Sequence, residues 1–416
     1  MSDQTKLFSK QKEKLIKIGT TYYFNKDDDV NTKSKYTCMI SLDTFLSVCV
    51  ITPLVISNWH GVWTLFDLHA DFFPPYETYA FANCILICWT FIRQILHEWF
   101  DKLQDRYQNA YIWQVFIQVY IVHFNVMVNM QWRAVFIIFD IITGLKMTPA
   151  GASGDNDTMP VWVFTIISTI ALIILRGLRN TLAVPFILAL DHPTGVFHFP
   201  TRFRTQLVQK TSLYILDCLF SVLIVGTLVV FVWRGAWVLI DIYLFPENEA
   251  WSAWASLAIG YMVVAIAFLL QPVMRWLCDR LNGAMRLLAA DVFLLFSLLG
   301  TVNVWRGIWN LLNIYFLPEN MELSCWITHW VSLILLILLG CSNSLLVRGV
   351  YIDAEEPAGK CVVFPCYYLR LIFQQEREKK HKNGVQMVSA TKIKQEKQEE
   401  NDNHVVAVNI DAGNHI

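Results

Sequence analysis

The stretch VWRGAWVLIDIYLFPEN, Val232 to Asn248, decides how this chain is read, because it returns as VWRGIWNLLNIYFLPEN, Val304 to Asn320. Weaker copies stand earlier: NWHGVWTLFD from Asn58 to Asp67, and QWRAVFIIFD from Gln131 to Asp140. Their leading tryptophans are Trp59, Trp132, Trp233 and Trp305. The intervals are 73 residues (59 to 132), 101 (132 to 233) and 72 (233 to 305). A pair of copies has itself been copied, at offsets of 174 (59 to 233) and 173 (132 to 305). Periodicity on this scale constrains architecture before any local preference does.

The duplication extends outward from the motif. LDTFLSV (Leu42–Val48) lies on LDCLFSV (Leu216–Val222), and no gap is needed to carry Trp59 onto Trp233 and Asp67 onto Asp241. Asn180-Thr181-Leu182, followed by Pro193, Gly195 and Phe199-Pro200, lies on Asn343-Ser344-Leu345, followed by Pro357, Gly359 and Phe364-Pro365. Apolar runs cover roughly Tyr36–Phe66, Tyr79–Ile95, Ala110–Phe139 and Val161–Leu175 in the first half, and Leu213–Ile240, Trp254–Leu270, Leu287–Leu312 and Trp326–Leu346 in the second. A crossing helix needs about 20 apolar residues. The expected fold is therefore an all-α polytopic membrane protein of eight transmembrane helices. Four spans per half insert both halves in the same orientation, giving a parallel 4+4 duplication about an axis along the membrane normal, with two WRGxWxLxD repeats in each half. The expected divisions are a tail over residues 1–36, membrane halves over 37–205 and 206–370, and a disordered, basic tail over 371–416.

Composition agrees. Hydrophobic residues make up 55% of the 416 and charged ones 16%, with 16 Trp and 27 Phe. Such a chain has lipid as its solvent. A net charge of −1 points to no nucleic-acid partner. The ten Cys show no metal spacing and no extracellular disulfide framework, and no cofactor is expected. No apolar core falls in the first 30 residues to act as a cleavable signal. Lys and Arg gather in the tails and in alternate connections (Arg176, Arg179, Arg202, Arg204), which places these in the cytosol. The acid-rich loops then fall outside, together with Asn156 of the sequon Asn156-Asp157-Thr158, a candidate glycosylation site.

Within the repeat, Arg234 and Asp241 are seven residues apart, as are Arg133 and Asp140, while the fourth copy sets Arg306 against Asn313 and the first has His60 and Asp67. Seven residues are about two helical turns, so each pair shares a face. Trp233 with Trp237, and Trp305 with Trp309, flank the arginines on adjacent turns. The plain expectation is an outer-face anchor, with Trp59, Trp132, Trp233, Trp237, Trp305 and Trp309 at headgroup level and the arginines snorkelling to phosphate. The sharper expectation is a vestibule in which the copies converge and the arginines attract anions. Asp43 and Asp217 hold equivalent intramembrane places, with either an interfacial or packing role or a coupling-ion or proton role. Asp291, whose counterpart is Gln118, reads as interfacial, and His123 and His329 as packing residues. Cys278, Cys361 and Cys366 are candidates for palmitoylation, and the terminal Ile416 is a weak candidate for a PDZ groove. Neither a phosphate-binding loop nor a nucleophile elbow is found, so no enzyme is expected.

The Trp233-Arg234-Gly235, Trp237, Asp241, Tyr243, Pro246-Glu247-Asn248 set and its copy at Trp305-Arg306-Gly307, Trp309, Asn313, Tyr315, Pro318-Glu319-Asn320 resemble the fuseless family of invertebrate multi-pass membrane proteins. The resemblance runs from about Tyr36 to Arg370. It implies an eight-pass protein of the neuronal plasma membrane at presynaptic terminals, tied to synapse organisation, calcium-channel placement and transmitter release. Partners implied are the lipid bilayer and presynaptic calcium-channel or active-zone proteins, met through cytoplasmic loops and tails. No catalytic residues come with the resemblance. The alternative is a small-solute or ion transporter or channel with a pathway between the duplicated halves.

Overall fold

The computed structural model describes residues 41–106, 110–148, 151–152, 156–191, 196–207, 211–366, 368–369 and 372. The tail expected over 1–36, all of the tail over 371–416 except residue 372, and Pro193 and Gly195 lie outside the described residues. The fold is helical: α1 (Ser41–Leu68), α2 (Pro75–Arg106), α3 (Ala110–Thr143), α4 (Met159–Ile174), α5 (Thr211–Tyr243), α6 (Glu249–Arg280), α7 (Gly283–Tyr315) and α8 (Met321–Leu338). Among the described residues seven helices are long and apolar enough to cross a membrane, and α4 is apolar but shorter. A two-residue antiparallel ladder, Met147–Thr148 with Gly151–Ala152, lies in the α3–α4 connection.

The four repeat-bearing helices form an inner ring. α1 touches α3, α3 touches α5, α5 touches α7, and α7 closes on α1. Each even helix backs one inner helix: α2 lies on α3, α4 on α5, α6 on α7, and α8 on α1. Two of these pairs, α4 with α5 and α8 with α1, join opposite halves of the sequence. The principal core likewise draws Ile56, Phe124, Val230 and Leu298 into one cluster. The boundary expected near residue 205 therefore separates two copies of a sequence, and not two packing units.

Local geometry repeats with the sequence. α1 contains a π-helical turn over Leu46–Ile51 and α5 contains one over Phe220–Val225, an offset of 174 at both ends. The Pro-Glu-Asn triplets have a structural role. Asn248 and Asn320 are the N-caps of α6 and α8, where their side chains accept from the backbone N–H of Trp251 and Leu323. Phe245 and Leu317, both at φ 51, turn the chain into these caps.

α4 and α8 stop early. Gly340, at φ 65, ends α8, and the N–H of Cys341 returns to the carbonyl of Leu336. Arg176 takes the same left-handed conformation after α4, where the N–H of Gly177 returns to Leu172. Both ends are of the Schellman kind. The eighth apolar run, expected to continue as a span to Leu346, thus leaves the helix after Leu338. From both helix ends the chain runs back into the bundle as irregular backbone. Leu178, Val184, Phe186, Phe197 and Phe199 of the first such connection are buried, as are Leu345, Val350, Val362 and Phe364 of the second. Non-helical backbone at this depth is tolerated where protein surrounds it.

Candidate functional site

The four repeat tryptophans meet at the centre of the inner ring. Centroids of Trp59 and Trp132 lie 5.5 Å apart, those of Trp132 and Trp233 5.5 Å, those of Trp233 and Trp305 5.4 Å, and those of Trp305 and Trp59 5.6 Å. Every contact is edge-to-face, so each indole presents its positive edge to the negative face of a neighbour. All four are buried. They sit nine to eleven residues before the C-terminal ends of their helices, about 15 Å along the axis. This overturns the headgroup-anchor expectation for Trp59, Trp132, Trp233 and Trp305: the square is a core. Trp237 and Trp309, 6.0 Å apart, and Trp63, 5.7 Å from Trp309, form part of a second aromatic tier one turn on.

Around the square runs a ring of polar pairs. Each arginine reaches the acid of the preceding copy, not the acid seven residues along its own helix. Arg133 pairs with Asp67 at 2.6 Å, Arg234 with Asp140 through two bonds of 2.7 Å, and Arg306 with Asp241 at 2.7 Å. The fourth junction, between the last copy and the first, is His60 Nε2 to Asn313 Oδ1 at 2.7 Å. An amide oxygen only accepts, so His60 donates from Nε2. The two positions that depart from the motif are therefore partners, and they depart together. One change alone would have left an unpaired charge, whereas the double change leaves a neutral hydrogen bond. The snorkelling expectation for Arg133, Arg234 and Arg306 fails for the same reason, since all three guanidinium groups are buried and occupied.

The motif glycine completes the logic. A Cβ on Gly235 would fall 1.8 Å from Thr165 Oγ1 of α4, and one on Gly307 would fall 2.7 Å from the backbone nitrogen of Leu257 in α6. Trp thus faces the centre, Arg faces the neighbouring copy, and Gly admits the backing helix.

Beneath the square the two irregular connections interlock reciprocally. Asp191 of the first accepts from the backbone of Ser342 and Asn343 at 3.1 and 2.6 Å, capping a 3-10 turn of the second. Asp353 of the second accepts from Leu178 and Arg179 at 2.7 and 2.8 Å, capping the matching turn of the first. Burial pushes both carboxyls above the usual carboxylate range, and these N–H donors pull them part of the way back. The connections that carry these turns hold the square. Trp233 donates to the Thr181 carbonyl, Trp305 to that of Val184 and Trp59 to that of Leu345. A cavity of about 240 Å³ remains between the square and the connections, with Trp59, Trp132 and Trp305 on one side and Asn180, Ser344 and Arg348 on the other.

Asp43 and Asp217 fasten the far ends of the connections. Asp217 accepts from the hydroxyls of Thr201 and Thr205 at 2.7 Å each, and from the N–H of Phe203 and Thr205 at 2.9 and 3.1 Å. Asp43 accepts from Leu369 at 2.7 Å. Arg93, buried and unforeseen in the sequence, donates to Thr201 Oγ1 at 3.0 Å and so joins the Asp217 network. This arrangement supports the packing role over the coupling-ion role. Asp217→Asn is expected to lower stability by about 3 kcal/mol, because one amide faces several donors that an ionised carboxylate satisfies. Thermal unfolding in detergent reads the loss. A variant as stable as the parent would return Asp217 to the coupling-ion reading.

The remaining expected sites are placed as follows. Asn156 is buried, its Oδ1 accepts from Lys146 N at 2.7 Å, and its Nδ2, the atom a glycan would occupy, donates to Lys146 O at 3.0 Å. The folded protein is accordingly expected to carry no glycan there, so glycosidase treatment should leave its gel mobility unchanged. Cys278, Cys361 and Cys366 are buried, and burial pushes the Cys361 thiol to about 12. Thiols so placed are poor nucleophiles, which overturns the palmitoylation expectation. Asp291, expected at an interface, is buried. His329 Nδ1 lies 3.1 Å from the Asn58 amide, and His123 packs on Trp89. Ile416 lies outside the described residues. Among those described, no group of three His, Cys, Asp or Glu side chains could hold a metal ion.

An inner ring of apolar helices, backed by further apolar helices and tied together by ion pairs, defines a multi-pass membrane protein. A family model described as Fuseless matches residues 38–346, and the chain belongs to that family. Neither a curated protein nor a solved structure matches it.

Proposed function

We propose that this chain is a non-enzymatic, eight-span plasma-membrane protein of parallel 4+4 build that organises presynaptic machinery. Both termini and the Arg-rich ends of the even helices lie in the cytosol on this reading. Charge asymmetry supports the orientation, and membership of the Fuseless family supports the presynaptic setting of calcium-channel placement and transmitter release. The observation that carries the reading is the filled centre. Where a vestibule would open, four indoles touch one another and three arginines are spent on three carboxylates. Such a core suits a rigid platform. With the long connections folded inside, docking falls to the two tails and to the polar α2–α3 connection.

Epitope tags on both tails, read with and without permeabilisation, test the orientation. Affinity capture of the tagged full chain from nerve terminals should recover calcium-channel or active-zone subunits. The cavity under the square favours a second reading, a small-solute or ion transporter or channel. Solute flux through the protein in liposomes, combined with a capture that recovers no such subunit, would replace the first reading by the second.

A further inference from the structure

We propose that the cavity beneath the tryptophan square is a binding site for a chain-like organic anion, a carboxylate that carries a hydroxyl at its far end. The square shows how such a site arises. Trp59, Trp233 and Trp305 each donate an indole N–H to a carbonyl of the connections, whereas Trp132, the fourth corner, has no acceptor among the described residues. Asn180 lies on Asn343 in the duplication, so Val184, which serves Trp305, lies on Val347. With the one-residue slip that sets Leu345 under Trp59, it lies on Arg348. Trp132, Val347 and Arg348 all line the cavity. The void therefore stands where the fourth indole bond would close, and it leaves a buried donor unanswered, which is costly unless something fills it. Its volume of about 240 Å³ is far more than the about 10–15 Å³ that one bridging water takes.

The cavity is elongated, and its two ends differ. α3 lines it from Phe124 to Trp132 and α5 from Ser221 to Val229, an interval of eight residues in each case, or about 12 Å. The Phe124 end lies beside exposed side chains and is cationic. Phe199 packs on Phe124 at 6.4 Å, Pro200 O accepts from Val350 N at 2.8 Å, and the adjoining His198 and Tyr351 are exposed. Arg348 lies over the Phe199 ring at 5.5 Å and donates from Nη2 to Asn343 Oδ1 at 2.6 Å. No carboxylate among the described residues pairs with it. Arg179, also on the wall, has Asp353 as its counter-charge. No Asp or Glu lines the cavity among the described residues, so its field favours an anion. Between the ends the wall is apolar, with Leu86, Val222 and Val225. The buried end has the Trp132 N–H as a donor. It has the Gln131 side-chain oxygen as an acceptor, since Gln131 commits only Nε2, to Asn83 Oδ1 at 2.7 Å. A hydroxyl answers both, accepting from the indole and donating to the amide oxygen. An extended chain advances about 1.2 Å per bond, so about ten bonds join the two ends. A ligand that stays and one that crosses the bilayer need the same site, so neither reading of function is presupposed.

Calorimetric titration of ω-hydroxydecanoate into the full chain in lipid nanodiscs, with empty nanodiscs as the blank, tests this. The acid should bind saturably. The diol of the same length, which lacks the charge, should bind about tenfold more weakly or worse, and Arg348→Gln should weaken the hydroxy acid by a similar factor. Decanoate, which lacks the hydroxyl, should bind about fivefold more weakly than the hydroxy acid, and Trp132→Phe should abolish that difference. Absence of saturable binding above the blank would overturn the proposal on the wild type alone, whether or not any variant folds. So would a diol or a decanoate that binds the wild type as tightly as the hydroxy acid. Unchanged affinity in a folded Arg348→Gln, or a hydroxyl preference that survives in a folded Trp132→Phe, would overturn it as well.

Discussion

Arg306→Met is expected to lower stability by about 3–5 kcal/mol, because it removes one partner of a buried ion pair and strands the other. Side-chain exposures of 3% for Arg306 and 5% for Asp241 make this the most enclosed junction of the ring. Arg306 also donates to Ser252 Oγ at 2.7 Å, so the change frees a second buried acceptor. Arg133→Met should cost less, since Asp67 is 49% exposed and water can serve its carboxylate. The decisive comparison is the double variant Asp241→Asn with Arg306→Gln. A neutral pair already closes the ring at His60 and Asn313, so the double change should recover most of what Arg306→Met loses. Unfolding of the purified protein in detergent reads all three variants. A loss below about 1 kcal/mol for Arg306→Met, or a double variant worse than the single, would refute the account of the ring as a set of mutually dependent pairs.

The recurrence of Trp, Arg and Asp at fixed offsets identifies the four helices that meet. It does not identify who pairs with whom. Pairing within one copy is excluded by the seven-residue rise of about 10.5 Å between Arg234 and Asp241, which is too long for a contact. That distance, together with the matched departures at His60 and Asn313, was the available signal for a cyclic arrangement. The first connection misleads for another reason. Its arginines suggest a solvated loop, yet LAVPFILAL, Leu182 to Leu190, is uncharged and apolar, as suits buried backbone. Asp191 and Asp353 stay hidden because a cap is visible only once the turn it serves, 151 residues away for the first and 175 for the second, is placed beside it. Asp291 is the extreme case. Nothing in its neighbourhood of sequence distinguishes a lipid-edge acid from a buried one.

Gly307→Ala is expected to destabilise by about 3 kcal/mol and to resist second-site rescue. The added Cβ would lie 2.7 and 2.8 Å from the nitrogen and Cα of Leu257, so the obstacle is the backbone of α6 itself. Gly260 meets α7 in the same way, since a Cβ there would fall 2.5 Å from the nitrogen of Val304, and together the two glycines let the helices approach as small residues do within membranes. No side-chain change at Leu257 relieves a clash with its main chain. Gly235→Ala provides the contrast, since its obstacle is the side chain of Thr165. Thr165→Gly should restore most of the loss there, less about 1 kcal/mol for a glycine within α4. Displacing α6 also drags Ser252 from Arg306, so Gly307→Ala should weaken the ion-pair ring that Gly235→Ala strains from the α4 side. Thermal unfolding of both single variants, and of Gly235→Ala with Thr165→Gly, measures the difference. Rescue of Gly307→Ala by Leu257→Ala would show that the helices are free to separate, and that the motif glycine serves some other need than close approach.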